Sequence, residues 1–142
     1  MTEKMVIRPF EPQDEPAVIE LWQRVFPDDP PWNEPIDVIR RKLLVQNELF
    51  FVCVFAGRLA GTVLAGFDGV RGWVHKLAVF PEFQRHGIAS RLMNAAEEAL
   101  RSMGCPKVNL QVRSSNAAVV NFYERAGYSI EDRISMGKRL EP

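Results

Sequence analysis

Hydrophobic and polar positions follow two periods along this chain, and each period predicts a different kind of element. Alternating or continuous apolar stretches predict strands at residues 5–8, 49–56, 59–67, 73–80 and 108–112. Apolar residues spaced three and four apart predict helices at residues 15–25, 36–44, 88–103 and 117–126. A final pair of strands is expected within residues 128–140.

The order of these elements predicts the fold class. Consecutive strands come first, and a strand, a helix and a further strand follow them across residues 73–112. Short turns join antiparallel neighbours, whereas a crossover helix joins parallel ones. We therefore expect an α/β fold with a mixed central sheet, antiparallel first and parallel at the crossover, flanked by about four helices.

The segment 26–35 contains four prolines, which exclude a regular helix and favour an extended, ordered loop. Two interpretations are open. The loop is either a lid or wall of a substrate site, or a stiff connector whose Trp32 packs on the core.

Length and composition narrow the choice of protein class. At 142 residues the chain suits one domain, which we expect to span residues 1–142. Eighteen basic and eighteen acidic residues give no overall field that would attract nucleic acid or an anionic membrane. Neither a signal peptide nor a membrane span is indicated, so we expect a cytoplasmic protein. Cys53 and Cys105 lack the spacing of zinc ligands, and we expect no metal site.

The segment from Gln84 to Ala89 is the most informative motif, because it stands between a predicted strand and a predicted helix. Gly87 lets the backbone approach a ligand closely. The free N–H groups at the helix start, with the positive end of the helix dipole behind them, favour an anion such as a pyrophosphate. Taken alone, the motif also fits an ordinary strand-to-helix turn.

A second motif follows, comprising the segment from Asn109 to Asn116, a helix to Tyr123 and an ending from Glu124 to Tyr128. Together with the first motif it resembles the GNAT superfamily of acyl-CoA N-acyltransferases. In that family, Gln/Arg-x-x-Gly-x-Gly/Ala precedes a strand, an Asn-capped helix and the ending Tyr-Glu-x-x-Gly-Tyr/Phe. The resemblance covers residues 5–140, and residues 31–35 resemble the small bacterial YpeA-type branch.

The resemblance implies a GNAT fold and an enzyme that moves an acetyl group from acetyl-CoA to a primary amine. It implies that Leu77 supplies a backbone N–H for the oxyanion and that Tyr123 is the general acid for the departing thiolate. It also implies a set of CoA contacts: Leu77, Val79, Gln84, Arg85, His86, Gly87, Ile88, Ala89, Asn116 and Tyr123. Structural roles compete, because Tyr123 also suits packing against Val119 and Val120, and Asn116 suits a helix cap.

The general base is the point at which this chain departs from the family. Gln111 stands where some relatives carry a glutamate, and an amide does not accept a proton near neutral pH. By resemblance, His75 stands where histone-type relatives carry a glutamate base, and its imidazole titrates in the useful range. The alternation of the strand predicts that His75 shares a face with Trp73, Leu77 and Val79. A structural histidine, Glu34 as the base, or an ordered water chain are the alternatives.

The sequence does not identify the acceptor. A small metabolite, an antibiotic-like amine, a protein lysine and a protein α-amine are all consistent with it. A homodimer is among the expected assemblies. A second hypothesis is a CoA-responsive binding module with little or no transfer, which Gln111 motivates. A third is a nucleotide-phosphate-binding domain of another kind.

Overall fold

The computed structural model describes residues 4–141, which form two compact units, the first ending at Gln111 and the second beginning at Val112. The first unit contains five strands: β1 (Met5–Pro9), β2 (Phe50–Phe55), β3 (Arg58–Phe67), β4 (Gly72–Val79) and β5 (Val108–Leu110). Its helices are α1 (Glu15–Val25), α2 (Pro35–Lys42) and α3 (Ile88–Ser102). The second unit contains α4 (Ala117–Arg125).

The five strands form one sheet in the order β1-β2-β3-β4-β5. The first three pairings are antiparallel, and β4 pairs with β5 in parallel after the crossover through α3. The predicted mixed sheet and its four helices are therefore confirmed. The parallel ladder is short, and it ends at the pair Val74 and Leu110.

Different helices cover the two faces of the sheet, as two neighbouring residues of β3 indicate. A Cβ at Gly61 would lie 3.1 Å from Leu92 and 3.3 Å from Ile88, both on α3. At the next residue, the Thr62 hydroxyl oxygen accepts a hydrogen bond of 2.9 Å from the indole N–H of Trp22 on α1. Because successive side chains of a strand point to opposite faces, α3 covers one face and α1 the other.

Both ends of helix α3 pack against a glycine of the sheet. Ile88 begins the helix and contacts the Gly61 position, whereas Leu100 of its last turns would lie 3.1 Å from a Cβ at Gly72. Ile88 and Leu100 are fully buried. Among residues 4–141, no helix has the length and apolar content that a membrane crossing requires.

The prediction of two strands within residues 128–140 is wrong. These residues are described, and they form neither strand nor helix. Their large apolar side chains are 78–91% exposed: Ile130, Ile134, Met136 and Leu140. A strand exists only where its N–H and C=O groups pair with a neighbour, and the apolar pattern of a segment does not specify that neighbour.

The proline-rich segment contains a single 3₁₀ turn at Pro31–Asn33 and no α-helix before α2. Trp32 in this turn is 40% exposed, so it does not pack in the core as the connector interpretation supposed. The segment is instead fastened to the sheet through Asp29, whose carboxylate pairs with the ammonium of Lys76 on β4.

Candidate active site

A β-bulge interrupts β4 in its middle. Two residues, Lys76 and Leu77, lie opposite one residue of β3, as the flanking pairs show: Leu64 with His75, and Thr62 with Ala78. Lys76 has a left-handed backbone with φ of 55°. A non-glycine residue in this region costs about 1–3 kcal/mol and persists only where surrounding contacts hold it.

The contacts that hold the bulge come from the α1 face. The Thr62 hydroxyl donates to the C=O of Lys76 over 2.9 Å while it accepts from Trp22. The Lys76 ammonium pairs with Asp29 and lies 5.6 Å from the ring centre of Trp22 and 4.5 Å from that of Phe26. We call Trp22, Phe26, Asp29, Thr62 and Lys76 the bulge cluster. It links α1 and the proline-rich loop to the strained residue of β4.

The bulge breaks the predicted face of β4. His75 pairs with Leu64, which lies two residues from Thr62 and so on the α1 face. Val79 pairs with Gly61, whose Cβ position meets α3, so Val79 and its alternate neighbour Leu77 belong to the α3 face. The prediction that His75 shares a face with Leu77 and Val79 is wrong, because one extra residue reverses the alternation.

Beyond Val74, the edge of β4 that faces β5 has no strand beside it in the sheet of residues 4–141. On the other edge, the N–H of Phe80 donates to the C=O of Ala60 on β3 over 2.9 Å. Backbone groups of alternate residues face the same neighbour in an antiparallel ladder. The N–H and C=O groups of Val79, and of Leu77 two residues earlier, therefore face away from β3, as an extended ligand would need.

After β4, the chain enters α3 through left-handed residues. A 3₁₀ turn at Pro81–Phe83 leads to Arg85 with φ of 69° and Gly87 with φ of 74°. Gly87 is the N-cap, and no atom lies within 4 Å of its Cβ position apart from its chain neighbours. The N–H of Arg91 donates to Gly87, so the earlier N–H groups have no partner inside the helix: Ile88, Ala89 and Ser90.

This turn has the geometry that the sequence predicted for an anion site. Gln84, Arg85, His86 and Gly87 are exposed, while Ile88 is buried and anchors the helix start. The His86 ring lies 4.7 Å from the ring of Phe55 at the sheet. The loop can therefore offer backbone donors and a positive helix end to a ligand outside the fold.

An open pocket of about 290 Å³ lies on the other side of the bulge. Side chains and backbone from the end of α2, from β3 and from β4 line it: Lys42, Val45, Gln46, Leu64, Ala65, Gly66, Phe67, Asp68, Trp73 and His75. The Lys42 ammonium donates to the C=O of Ala65, and its withdrawal from water lowers the pKa of Lys42. The pocket thus combines apolar walls with a half-buried cation.

His75 is exposed at this pocket, but the pocket walls withdraw its ring from bulk water. Withdrawal from water lowers the pKa of His75 below its usual value of 6.5, and the charges of Lys42 and Lys76 lower it further. The imidazole is therefore neutral at pH 7 and can accept a proton.

The second unit holds the remaining predicted residues. Asn116 caps α4, since its side-chain oxygen accepts from the N–H of Val119 over 3.4 Å, which confirms the predicted cap. Tyr123 is buried, and its ring contacts the rings of Phe122 and Tyr128, with centroids 5.2 and 5.6 Å away. Burial raises the pKa of Tyr123 to about 12, so its phenol stays protonated at neutral pH.

Sequence reasoning missed the bulge cluster and Lys42. A left-handed lysine has no sequence signature, because lysine rarely adopts that backbone. Thr62 offered a weak signal, since a polar residue inside the otherwise apolar strand 59–67 needs a partner when it is buried. Nothing in the sequence pairs Asp29 with Lys76, which lie 47 residues apart.

Known proteins resemble this chain in sequence and in fold. A model of the acetyltransferase (GNAT) family matches residues 15–128. An acetyltransferase of Pectobacterium atrosepticum is 44% identical over 136 residues, which cover 96% of each chain. The crystal structure of Ard1 from Thermoplasma volcanium is 26% identical with a TM-score of 0.78, covering 89% of this chain and 84% of that one.

An aminoglycoside N-acetyltransferase in complex with CoA has the same fold, with a TM-score of 0.80 at 16% identity over 99% of this chain and 97% of that one. The fold and the matches define the class of protein as an N-acetyltransferase. The chain belongs to the acetyltransferase (GNAT) family. Membership of the YpeA-type branch stays a prediction.

Proposed function

We propose that this N-acetyltransferase takes its acetyl group from acetyl-CoA and transfers it to a primary amine by direct attack on the thioester. The observation that carries the proposal is two sets of backbone donors that follow each other along the chain. The first is the N–H groups of Leu77 and Val79 on the open edge of β4, and the second is the first N–H groups of α3 at its left-handed entry. CoA has the matching shape, because an extended pantetheine arm leads to a pyrophosphate.

In this proposal the cofactor is held mainly by backbone groups. Leu77 and Val79 hydrogen-bond the pantetheine arm as an added strand would. Residues 84–89 receive the pyrophosphate at the positive end of α3, and the exposed guanidinium of Arg85 adds charge beside it. By resemblance, Asn116 contributes a further CoA contact, although its cap is sufficient reason for an asparagine there.

The oxyanion of the tetrahedral intermediate needs a fixed donor, and the N–H of Leu77 is the candidate. Leu77 is the second residue of the bulge, and the bulge cluster fixes Lys76 on its N-terminal side. A donor that is already oriented needs no reorganisation as the negative charge develops. This gives the strain at Lys76 a function, since it re-aims the strand beside the reaction centre.

The acceptor amine must lose a proton, because an amine with a pKa of about 10.4 is mostly protonated at neutral pH. His75 is the proposed base, since its lowered pKa keeps the imidazole neutral and ready to accept a proton. It lies two residues before Leu77, on the other side of the left-handed Lys76. An amine bound on the His75 side of the bulge can reach the thioester directly, and its proton can reach His75 directly or through one water.

Tyr123 is the proposed donor to the departing thiolate. Complete proton transfer from a phenol of pKa about 12 to a thiolate of pKa about 8.5 is uphill by about 5 kcal/mol. Tyr123 therefore acts through a hydrogen bond to the developing sulfur charge, and the thiolate takes its proton later from solvent. Burial supports this role, because it keeps the phenol protonated.

We treat residues 1–142 as one catalytic domain, which the family match across both compact units supports. Cytoplasmic location and a homodimer stay predictions. The acceptor can be a small amine or an amine of a protein. The pocket beside His75 is the feature that would select among them.

Release of free CoA thiol from acetyl-CoA, followed across a panel of primary amines, tests the proposal. We expect amine-dependent release and a matching N-acetylated product by mass spectrometry. Acetyl-CoA binding without turnover of any amine would favour the CoA-responsive module instead. Preference for ATP over CoA in calorimetry would favour a nucleotide-phosphate-binding domain and contradict the proposal.

A further inference from the structure

We propose that the pocket beside His75 binds the acceptor and selects primary amines that also carry a carboxylate, with an apolar chain between the two groups. This inference rests on the proposed acetyl transfer at β4. It assigns the carboxylate to Lys42 and places the amine toward the bulge.

The pocket lies beside the proposed reaction centre. His75 lines the pocket from the α1 face of β4 and is two residues from Leu77, the proposed oxyanion donor. The proposed cofactor path runs along Leu77 and Val79, beyond the bulge. An amine in the pocket thus approaches the thioester from the N-terminal half of β4.

The walls of the pocket suit an apolar chain. Leu64 and Trp73 contribute side chains from the two central strands, and Val45, which is 61% exposed, forms part of the rim. Gly66 contributes no side chain, which leaves room beside Lys42. A Cβ there would lie 3.4 Å from Gln46 Oε1 and 3.8 Å from Lys42 Nζ.

The polar side chains of the pocket are not equally available to a ligand. Gln46 uses both ends of its amide on the backbone of Phe67, over 2.9 and 2.8 Å. Asp68 accepts from the backbone N–H groups of Val70 and Arg71, over 2.8 and 2.9 Å, and its carboxylate is also bonded by the side chain of Trp73. These groups are committed to holding the pocket together.

Lys42 is different, because an ammonium has three donors and one of them bonds the C=O of Ala65. The charge of Lys76 nearby is paired with Asp29, on the bulge cluster. Glu48 acts on Lys42 by charge but does not line the pocket. The pocket lining therefore carries two charges. The Asp68 carboxylate is stabilised by its own N–H donors, whereas the Lys42 ammonium still has donors that a ligand can use.

A carboxylate is the complement of that cation. Lys42 is partly withdrawn from water by its own burial, and a ligand anion would restore the lost solvation through charge-assisted hydrogen bonds. An alkylamine of the same length has no carboxylate and would leave the Lys42 ammonium without this compensation. We expect a preference of about tenfold to a hundredfold for the carboxylate-bearing acceptor.

The test uses two matched series with acetyl-CoA, the ω-amino acids from 3-aminopropanoate to 6-aminohexanoate and the alkylamines of the same chain length. We expect the amino acids to have the higher kcat/KM, with the advantage in KM. Equal kcat/KM in the two series, or a preference for the alkylamines, overturns the inference and leaves the acetyl transfer intact.

Variants locate the effect at one atom. Lys42→Met should remove the preference by raising KM for the amino acids alone, and Lys42→Arg should restore it. Arg40→Met, on the exposed side of the same helix, is the control and should leave the preference unchanged. Gly66→Ala should weaken both series. A preference that survives in a folded Lys42→Met protein overturns the inference.

Binding without acetyl-CoA separates the inference from the proposed function. Saturation-transfer NMR should detect 6-aminohexanoate on the wild-type protein, with loss of the signal in Lys42→Met. This result without any turnover supports the pocket while contradicting acetyl transfer. Turnover of amines without this dependence on Lys42 does the opposite.

Discussion

The two halves of β4, on either side of the bulge, use different parts of the chain for recognition. After the bulge, the open strand edge and the entry to α3 offer backbone N–H and C=O groups. Before it, His75 and Lys42 offer side chains that are carried by separate elements. In the proposed function, the first half binds acetyl-CoA and the second half binds the acceptor amine.

The difference has physical consequences. Backbone donors do not titrate in the range where proteins work, and substitution of most side chains leaves them in place. The side chains of the other half titrate, and they influence one another, since Lys42 contributes to lowering the pKa of His75. Affinity for acetyl-CoA should therefore be insensitive to pH and to most substitutions, whereas acceptor turnover should be sensitive to both.

The largest effect is expected from Gly87→Glu, which would break the backbone-built half. The carboxylate places bulk and negative charge at the entry to α3, against the proposed pyrophosphate, and should cost about 4 kcal/mol, or roughly a thousandfold in affinity. Calorimetry with acetyl-CoA measures it. Gly104→Glu is the matched control, because Gly104 also has positive φ and open space around it, at the other end of α3. Equal affinities in the two variants would contradict the assignment of the pyrophosphate to the entry of α3.

His75→Gln should have the next largest effect, on the side-chain-built half alone. Loss of the base should lower kcat by about a hundredfold and leave acetyl-CoA affinity unchanged. Because the folded state lowers the pKa of His75, the wild-type acid limb should lie below pH 6.5, with activity lost as the pH falls. The limb should vanish in the variant. A limb with an unchanged midpoint would indicate Glu34 or the substrate amine instead.

The same shift predicts a stability effect. The unfolded chain takes up a proton at His75 at a higher pH than the folded chain does, so folding free energy is lost as the pH falls through about 6.5. His75→Gln should remove this component of the pH dependence. Chemical unfolding at several pH values between 5 and 8 measures it.

Tyr123 belongs to neither half of β4, and its replacement by Phe should give a smaller effect. Packing against Phe122 and Tyr128 should survive, and kcat should fall about tenfold to a hundredfold because a thiolate leaves fairly well unaided. Tyr128→Phe is the matched control, as the chain has two tyrosines. A wild-type kcat in Tyr123→Phe, measured where chemistry limits the rate, would return Tyr123 to a packing role.

Thr62→Val tests the boundary between the halves and should give the smallest effect on rate. The variant keeps the shape but leaves the indole N–H of Trp22 and the C=O of Lys76 without their hydroxyl, at a cost of about 1–3 kcal/mol in stability. A looser bulge should lower kcat about threefold to tenfold, because Leu77 loses part of its orientation. Unchanged kcat with reduced thermal stability would make the cluster purely structural.

The sequence was sufficient to predict the local structure at the entry to α3, which is one part of the backbone-built half. Gly87 and the flanking strand and helix are local features, and the observed N-cap at Gly87 follows from them. The capping by Asn116 was equally local. These predictions succeeded because each depends on a few consecutive residues and on the geometry of a helix end.

The side-chain-built half could not be predicted in the same way. The face of His75 relative to Val79 depended on a single extra residue in β4, which alternation cannot reveal. Lys42 reaches the pocket from a separate helix, across 23 residues to Ala65. The strands expected within residues 128–140 failed for a related reason, because pairing depends on a distant neighbour rather than on the segment.

The distance between α3 and the sheet depends on two glycines of the strands beneath the helix. Gly61 lies beneath Ile88, the first residue of α3, and Gly72 beneath its last turns. A Cβ at Gly61 would lie 2.7 Å from the C=O oxygen of Ala78 on β4, 3.1 Å from Leu92 and 3.3 Å from Ile88, so that β4 or the start of α3 would have to move. Such a movement would displace part of the proposed CoA site, although none of residues 84–89 had changed. We therefore expect substitutions at this position of the hydrophobic core to change the affinity for acetyl-CoA, although the position itself does not contact the proposed ligand.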